Sequence, residues 1–172
     1  LTLSNADATD IEDIALFAGQ DGGPDVLYLA DTGNNLRTRK VVQIYRVEEP
    51  LVPNGKTPLA VAREATVIDV VYDDGARDAE TLLVDPLQGD LYLVAKAMPL
   101  LGGRSIGVYR LPHEQLLGPH PVTARKVATL QLGPATGGDV FLGGSAIVVR
   151  NYWGALYWPR EPGETFAQAL AK

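Results

Sequence analysis

The chain has 172 residues, 46% of them hydrophobic and 21% charged, and a formal net charge of −6. That length suits one well-buried domain, and the acidic balance repels nucleic acid on average. No stretch reaches the roughly 18 apolar residues of a membrane helix, and the lack of cysteine excludes disulfides, thiolate metal sites and a cysteine nucleophile.

In chain order, short runs rich in Val, Ile, Leu and Tyr alternate with Gly, Pro, Asn and Asp clusters, which is the pattern of strands and turns. Strands are expected near 12–17, 25–30, 41–47, 64–72, 79–85, 90–96, 106–111, 124–131, 138–142, 145–150 and 154–158, with a further candidate at 165–170. Turns are expected at Gly22-Gly23-Pro24, Asp31-Thr-Gly-Asn-Asn35, Pro53-Asn-Gly55, Asp73-Asp-Gly75, Pro86-Leu-Gln-Gly89 and Gly143-Gly144. The best helical candidate, Phe166 to Lys172, is too short to be stable alone. Both histidines, His113 and His120, fall in a Pro/Gly/Leu-rich connection and read as solvated loop residues. Leu1 points to a processed product or an excised piece, and an extracellular or periplasmic location is favoured.

The chain also repeats itself. Asp10-Ile-Glu12-Asp-Ile14 matches Asp78-Ala-Glu80-Thr-Leu82, Leu27-Tyr-Leu29 matches Leu91-Tyr-Leu93, and Ile44-Tyr-Arg-Val47 matches Val108-Tyr-Arg-Leu111. A degenerate third copy lies on Gly137-Gly-Asp139-Val-Phe141, Ala146 to Arg150 and Ala155 to Trp158, with Asp139 at the carboxylate position. Each copy reads as a meander of four strands, the unit of a β-propeller blade; a sandwich or closed barrel is the alternative. The expectation is an all-β chain of about three four-stranded blades, at about 8–72, 78–131 and 137–170 of one domain spanning 1–172, which leaves the ring incomplete in one chain.

These residues, with Leu27-Tyr-Leu-Ala-Asp31-Thr-Gly-Asn-Asn35, Tyr72-Asp-Asp-Gly75, Val84-Asp-Pro86 and Gly89-Asp-Leu-Tyr-Leu-Val-Ala-Lys96, resemble an uncharacterised group of bacterial β-propellers akin to the phytase-like and esterase-like propellers. The resemblance runs to about Trp158; Ile11 departs from its frequent tryptophan and Asn34 from its frequent aspartate. It implies further blades, supplied by self-association or by a second chain. It also implies an alternative to simple binding, a calcium-dependent hydrolysis of phosphate or other esters.

In a blade the first strand is innermost, and the second runs back to the same mouth of the central channel. Glu12, Glu80 and Asp139 are therefore expected to gather there as candidate metal ligands, with Asp31, Lys96 and Arg150 at the rim for a small anionic ligand. Several hard oxygen donors suit calcium. The competing account is structural, with the carboxylates accepting backbone N–H groups and the cations neutralising them. The Asp31 to Asn35 loop reads as a turn or as part of a calcium site. Tyr28, Tyr45, Tyr92 and Tyr109 read as packing core. Ser4, Ser105 and Ser145 have no Gly-x-Ser-x-Gly setting, and Gly102-Gly103 and Gly143-Gly144 open no phosphate loop.

Overall fold

The period-two alternation of apolar residues produces strands throughout a computed structural model that describes residues 2–20, 22–50, 62–96 and 104–172. The turn expected at Pro53-Asn-Gly55 and the Gly102-Gly103 pair lie outside these residues. A short strand β1 (Thr2–Ser4) precedes β2 (Asp13–Phe17), β3 (Val26–Asp31) and β4 (Val42–Glu48); β5 (Ala62–Glu64) precedes β6 (Thr66–Tyr72). Strands β2, β3, β4 and β6 form an antiparallel meander, while β5 pairs in parallel with β1. A second antiparallel meander follows in β7 (Ala79–Val84), β8 (Leu91–Ala95), β9 (Ser105–Leu111) and β10 (Val122–Gln131). The third comprises β11 (Ala135–Val140), β12 (Ala146–Asn151) and β13 (Ala155–Pro159). The chain is thus all-β apart from short helical turns and α1 (Phe166–Leu170).

The first two meanders are not separate sheets. Their last strands pair in parallel, Val70 opposite Val122 and Tyr72 opposite Ala124, giving one eight-stranded sheet in the order β2-β3-β4-β6-β10-β9-β8-β7. Its end strands come back together: the Asp13 carboxylate on β2 accepts the Leu82 N–H of β7 at 2.9 Å. The result is a nearly closed, barrel-like sheet. Its interior is apolar because the inward row of every strand is apolar: Val26, Tyr28, Ile44, Ile68 and Val70 face Leu82, Leu91, Leu93, Tyr109 and Leu111.

The other face of the second meander carries Leu83, Tyr92, Val94, Ile106 and Val108 and packs against Ile147, Val149 and Trp158 of the third. Here the expectation of four strands is corrected to three. After Pro159 the chain leaves the sheet because Arg160 turns inward and pairs with Asp85 through both guanidinium nitrogens, at 2.8 and 3.1 Å. The segment read as a candidate strand at 165–170 is helix α1. Its start is a capping box, in which the Thr165 hydroxyl accepts the Gln168 N–H at 3.2 Å and the Gln168 side chain accepts the Thr165 N–H at 2.8 Å. Phe166 of α1 stacks on Tyr92 at 4.4 Å between ring centroids, which closes this second core. All four tyrosines read as packing core are buried, and both histidines are exposed.

Candidate functional site

Strand polarity puts the starts of β2 and β7 side by side. There Glu12, Asp78 and Glu80 converge, each offering a carboxylate oxygen within 4.8 Å of the others. Burial, and then the neighbouring negative charges of Glu80, Asp10 and Asp78, push the Glu12 carboxyl up to about 7. Lys96, at the end of β8, forms an ion pair with Glu80. Burial works against the charge on Lys96, but the hydrogen bond and charge of Glu80 outweigh it and raise its pKa. One lysine thus faces a group of carboxylates, and burial, with the like charges beside it, keeps Glu12 only partly ionised at neutral pH.

The loop after β3 holds this arrangement. Gly33 lies so close that a Cβ there would fall 2.5 Å from Glu12 Oε1 and closer still to the Asp10 carboxylate. Thr32 donates its hydroxyl to the Ala79 carbonyl at 2.8 Å, and the Asn34 N–H donates to Asp78 Oδ1 at 2.7 Å. The Asn34 amide donates to the Arg39 and Arg77 carbonyls at 2.9 and 3.2 Å. These bonds tie the start of the second meander to the first, so the Asp31 to Asn35 segment acts here as a clamp between the two meanders.

Asp31 stands apart from the cluster. It is wholly buried and receives both Arg39 nitrogens, at 3.0 and 2.9 Å. It also accepts the Asp10 N–H at 2.7 Å and the Thr9 N–H at 3.2 Å. Burial alone would raise its pKa; the Arg39 hydrogen bonds and the two N–H groups outweigh that and hold it below the ordinary carboxylate range. Asp31, expected at a ligand rim, thus spends its hydrogen bonds on Arg39, Asp10 and Thr9 inside the fold.

Asp139 is not a member of the group either. On β11 it lies opposite Val148, as Asp13 on β2 lies opposite Ala30. Each of these two carboxylates accepts the N–H of its own following residue, at 2.8 Å for Asp139 and 2.9 Å for Asp13. Asp139 is thus the counterpart of Asp13, and Gly138 that of Glu12 and Glu80. A strand alternates its faces, so a slip of one residue sends the side chain to the other side. Glycine is needed at 138 because a Cβ would lie 2.6 Å from the Val148 carbonyl oxygen and 3.0 Å from Thr81 Cγ2. Asp139 and Phe141 instead lie, with Ile14, Leu16, Val84 and Pro86, in the wall of an open cavity of about 410 Å³. Arg150 is exposed and has no carboxylate within ion-pair distance among the described residues.

No protein-family model matches the chain, and no curated protein matches it.

Two features of the mouth escaped the sequence reading. Asp78 completes the carboxylate group, and its signal was present in the repeated Asp-x-Glu at Asp10/Glu12 and Asp78/Glu80. Near Lys96, the turn after β12 presents exposed Tyr152 and Trp153 at a cleft of about 810 Å³ that Arg104 also lines. No local pattern marks that cleft, because its walls come from three separate parts of the chain.

Proposed function

We propose that the chain is a run of β-propeller blades whose inner-strand mouth binds a hard divalent cation, calcium by class. The propeller reading is supported by consecutive antiparallel meanders, the first packing through β2 on β7 of the second and the second through β7 on β11 of the third. The observation that carries the cation reading is the convergence of Glu12, Asp78 and Glu80 within 4.8 Å. Oxygens bound to one calcium at roughly 2.3–2.6 Å lie at most about 5 Å apart, so this spacing fits one ion. The donor set is all carboxylate, an oxygen donor that suits calcium, and the Glu12 carboxylate accepts no hydrogen bond among the described residues. A bound cation would replace the proton that burial and the neighbouring negative charges keep on Glu12.

Calorimetric titration with calcium at pH 8 is expected to show saturable binding that weakens at pH 6, where the proton competes. Glu12→Gln and Glu80→Gln are each expected to weaken binding about tenfold or more, the scale of 1.4 kcal/mol. Absence of heat at millimolar calcium, with folded protein, would remove the cation reading.

A second reading, hydrolysis of phosphate or other esters, is favoured by Glu12 being poised near neutrality. A carboxyl with that pKa can exchange a proton in either direction at working pH. The neighbouring cleft with Tyr152, Trp153 and Arg104 offers room for a substrate. A screen of phosphoesters and lactones with and without a chelator tests it; turnover lost on chelation supports it.

A further inference from the structure

We infer that two copies of this chain join head to tail, the third meander of each seating on β2 of the other, with the Asp139 carboxylate accepting the Ile14 N–H of the second copy. This rests on the propeller reading above. Its basis is a contact that already exists once inside the chain. Asp13 holds its own Ile14 N–H with one oxygen and reaches the Leu82 N–H of the next inner strand with the other, both at 2.9 Å. Asp139 reproduces the first half of that contact on Val140 at 2.8 Å, and its second oxygen has no partner among the described residues. The matching donor is the Ile14 N–H, the counterpart of Leu82, which donates to the adjacent Asp13 side chain. One molecule therefore carries both halves of an unmade junction. The intervening position, Thr81, has a buried hydroxyl with no partner, so the carboxylate staple is confined to Asp13 and Asp139.

Charge and apolar surface agree with this pairing. Thr32 contacts the next inner strand at Ala79. Arg150, two residues beyond the partner of Asp139 as Thr32 is two beyond the partner of Asp13, is placed to meet Asp10 and Glu12 of the second copy. Among the described residues neither Asp10 nor Glu12 has an ion-pair partner, and the nearby Lys96 is paired with Glu80. Around the staples, Ile14 and Leu16 are 54% and 51% exposed, and Phe141 and Tyr157 are 53% and 59% exposed and packed edge to face. A heterologous contact of this kind closes into a two-fold ring when used twice.

Light scattering and amide hydrogen exchange test it together. The expected result is twice the mass of one chain at micromolar concentration, with Ile14 N–H protection that falls on dilution. Leu16→Glu and Arg150→Glu, both at exposed positions, are expected to give monomers with unchanged strand dichroism and an unprotected Ile14 N–H. A monomeric wild-type chain with Leu82 protected and Ile14 unprotected at every concentration overturns the second-copy contact and leaves the blade reading intact. An unprotected Leu82 N–H in folded protein overturns the blade reading itself. A dimer that survives both variants places the interface elsewhere and also overturns the proposal.

Discussion

Asp31→Ala is expected to destabilise the protein by about 3–5 kcal/mol, the scale for removing one partner of a buried charge pair. The substitution strands the Arg39 guanidinium and leaves the Asp10 and Thr9 N–H groups without their acceptor. Urea unfolding should show a lower midpoint with an unchanged slope. Asp31→Asn should fall between the two, since an amide oxygen still accepts the N–H groups but carries no charge for Arg39. The pH dependence has a definite sign. The Asp31 pKa is depressed in the folded chain, so its contribution is present above the ordinary carboxylate range and is lost as pH falls through its folded value. The wild-type advantage over Asp31→Ala should therefore shrink in acid. A loss of calcium binding with stability unchanged would return Asp31 to the ligand rim.

The second large effect is at Arg160. Its ion pair with Asp85 is almost wholly buried, with the two side chains 4% and 1% exposed. Arg160→Ala leaves Asp85 charged and unpaired in the interior and should also cost about 3–5 kcal/mol. Because Arg160 also donates to the Glu164 carbonyl at 2.7 Å and lies over the Phe166 ring, α1 should detach first. Hydrogen exchange at Ala169 and Leu170 would report that before global unfolding. The double variant Arg160→Ala with Asp85→Ala should cost little more than Arg160→Ala alone, since the stranded charge is then gone. Fully additive losses would show that the two residues act separately.

How far the sequence spoke depended on the range of each contact. Strand positions were legible because alternation is local: Val26, Tyr28 and Ala30 are buried in turn, as their spacing predicts. Glu12 and Glu80 were legible as partners because the Asp-x-Glu motif repeats ahead of matching strands. Asp139 aligned by charge with Glu12 and Glu80 rather than with Asp13, because the third copy has Gly138 where the others have a glutamate, so the alignment slipped by one residue. The Asp31 role turned on Arg39, which comes from the loop beyond and gave no motif. The parallel pairing of β6 with β10 joins strands far apart in the chain, and no periodicity announces it. Arg160 and Asp85 are 75 positions apart, and charge at such a distance has no sequence signal. The capping box Thr165-x-x-Gln168 was a local signal for α1 that the reading of 165–170 as a candidate strand did not use.

The most direct measurement is the titration of the Glu12 carboxyl by carbon-13 NMR, with and without calcium. The account predicts a midpoint near pH 7 without the ion, set by burial and by Glu80, Asp10 and Asp78. Calcium should move that midpoint to lower pH, because the cation replaces the proton. A midpoint at the ordinary glutamate value of 4.5, unmoved by calcium, would contradict both the crowded mouth and its proposed ligand.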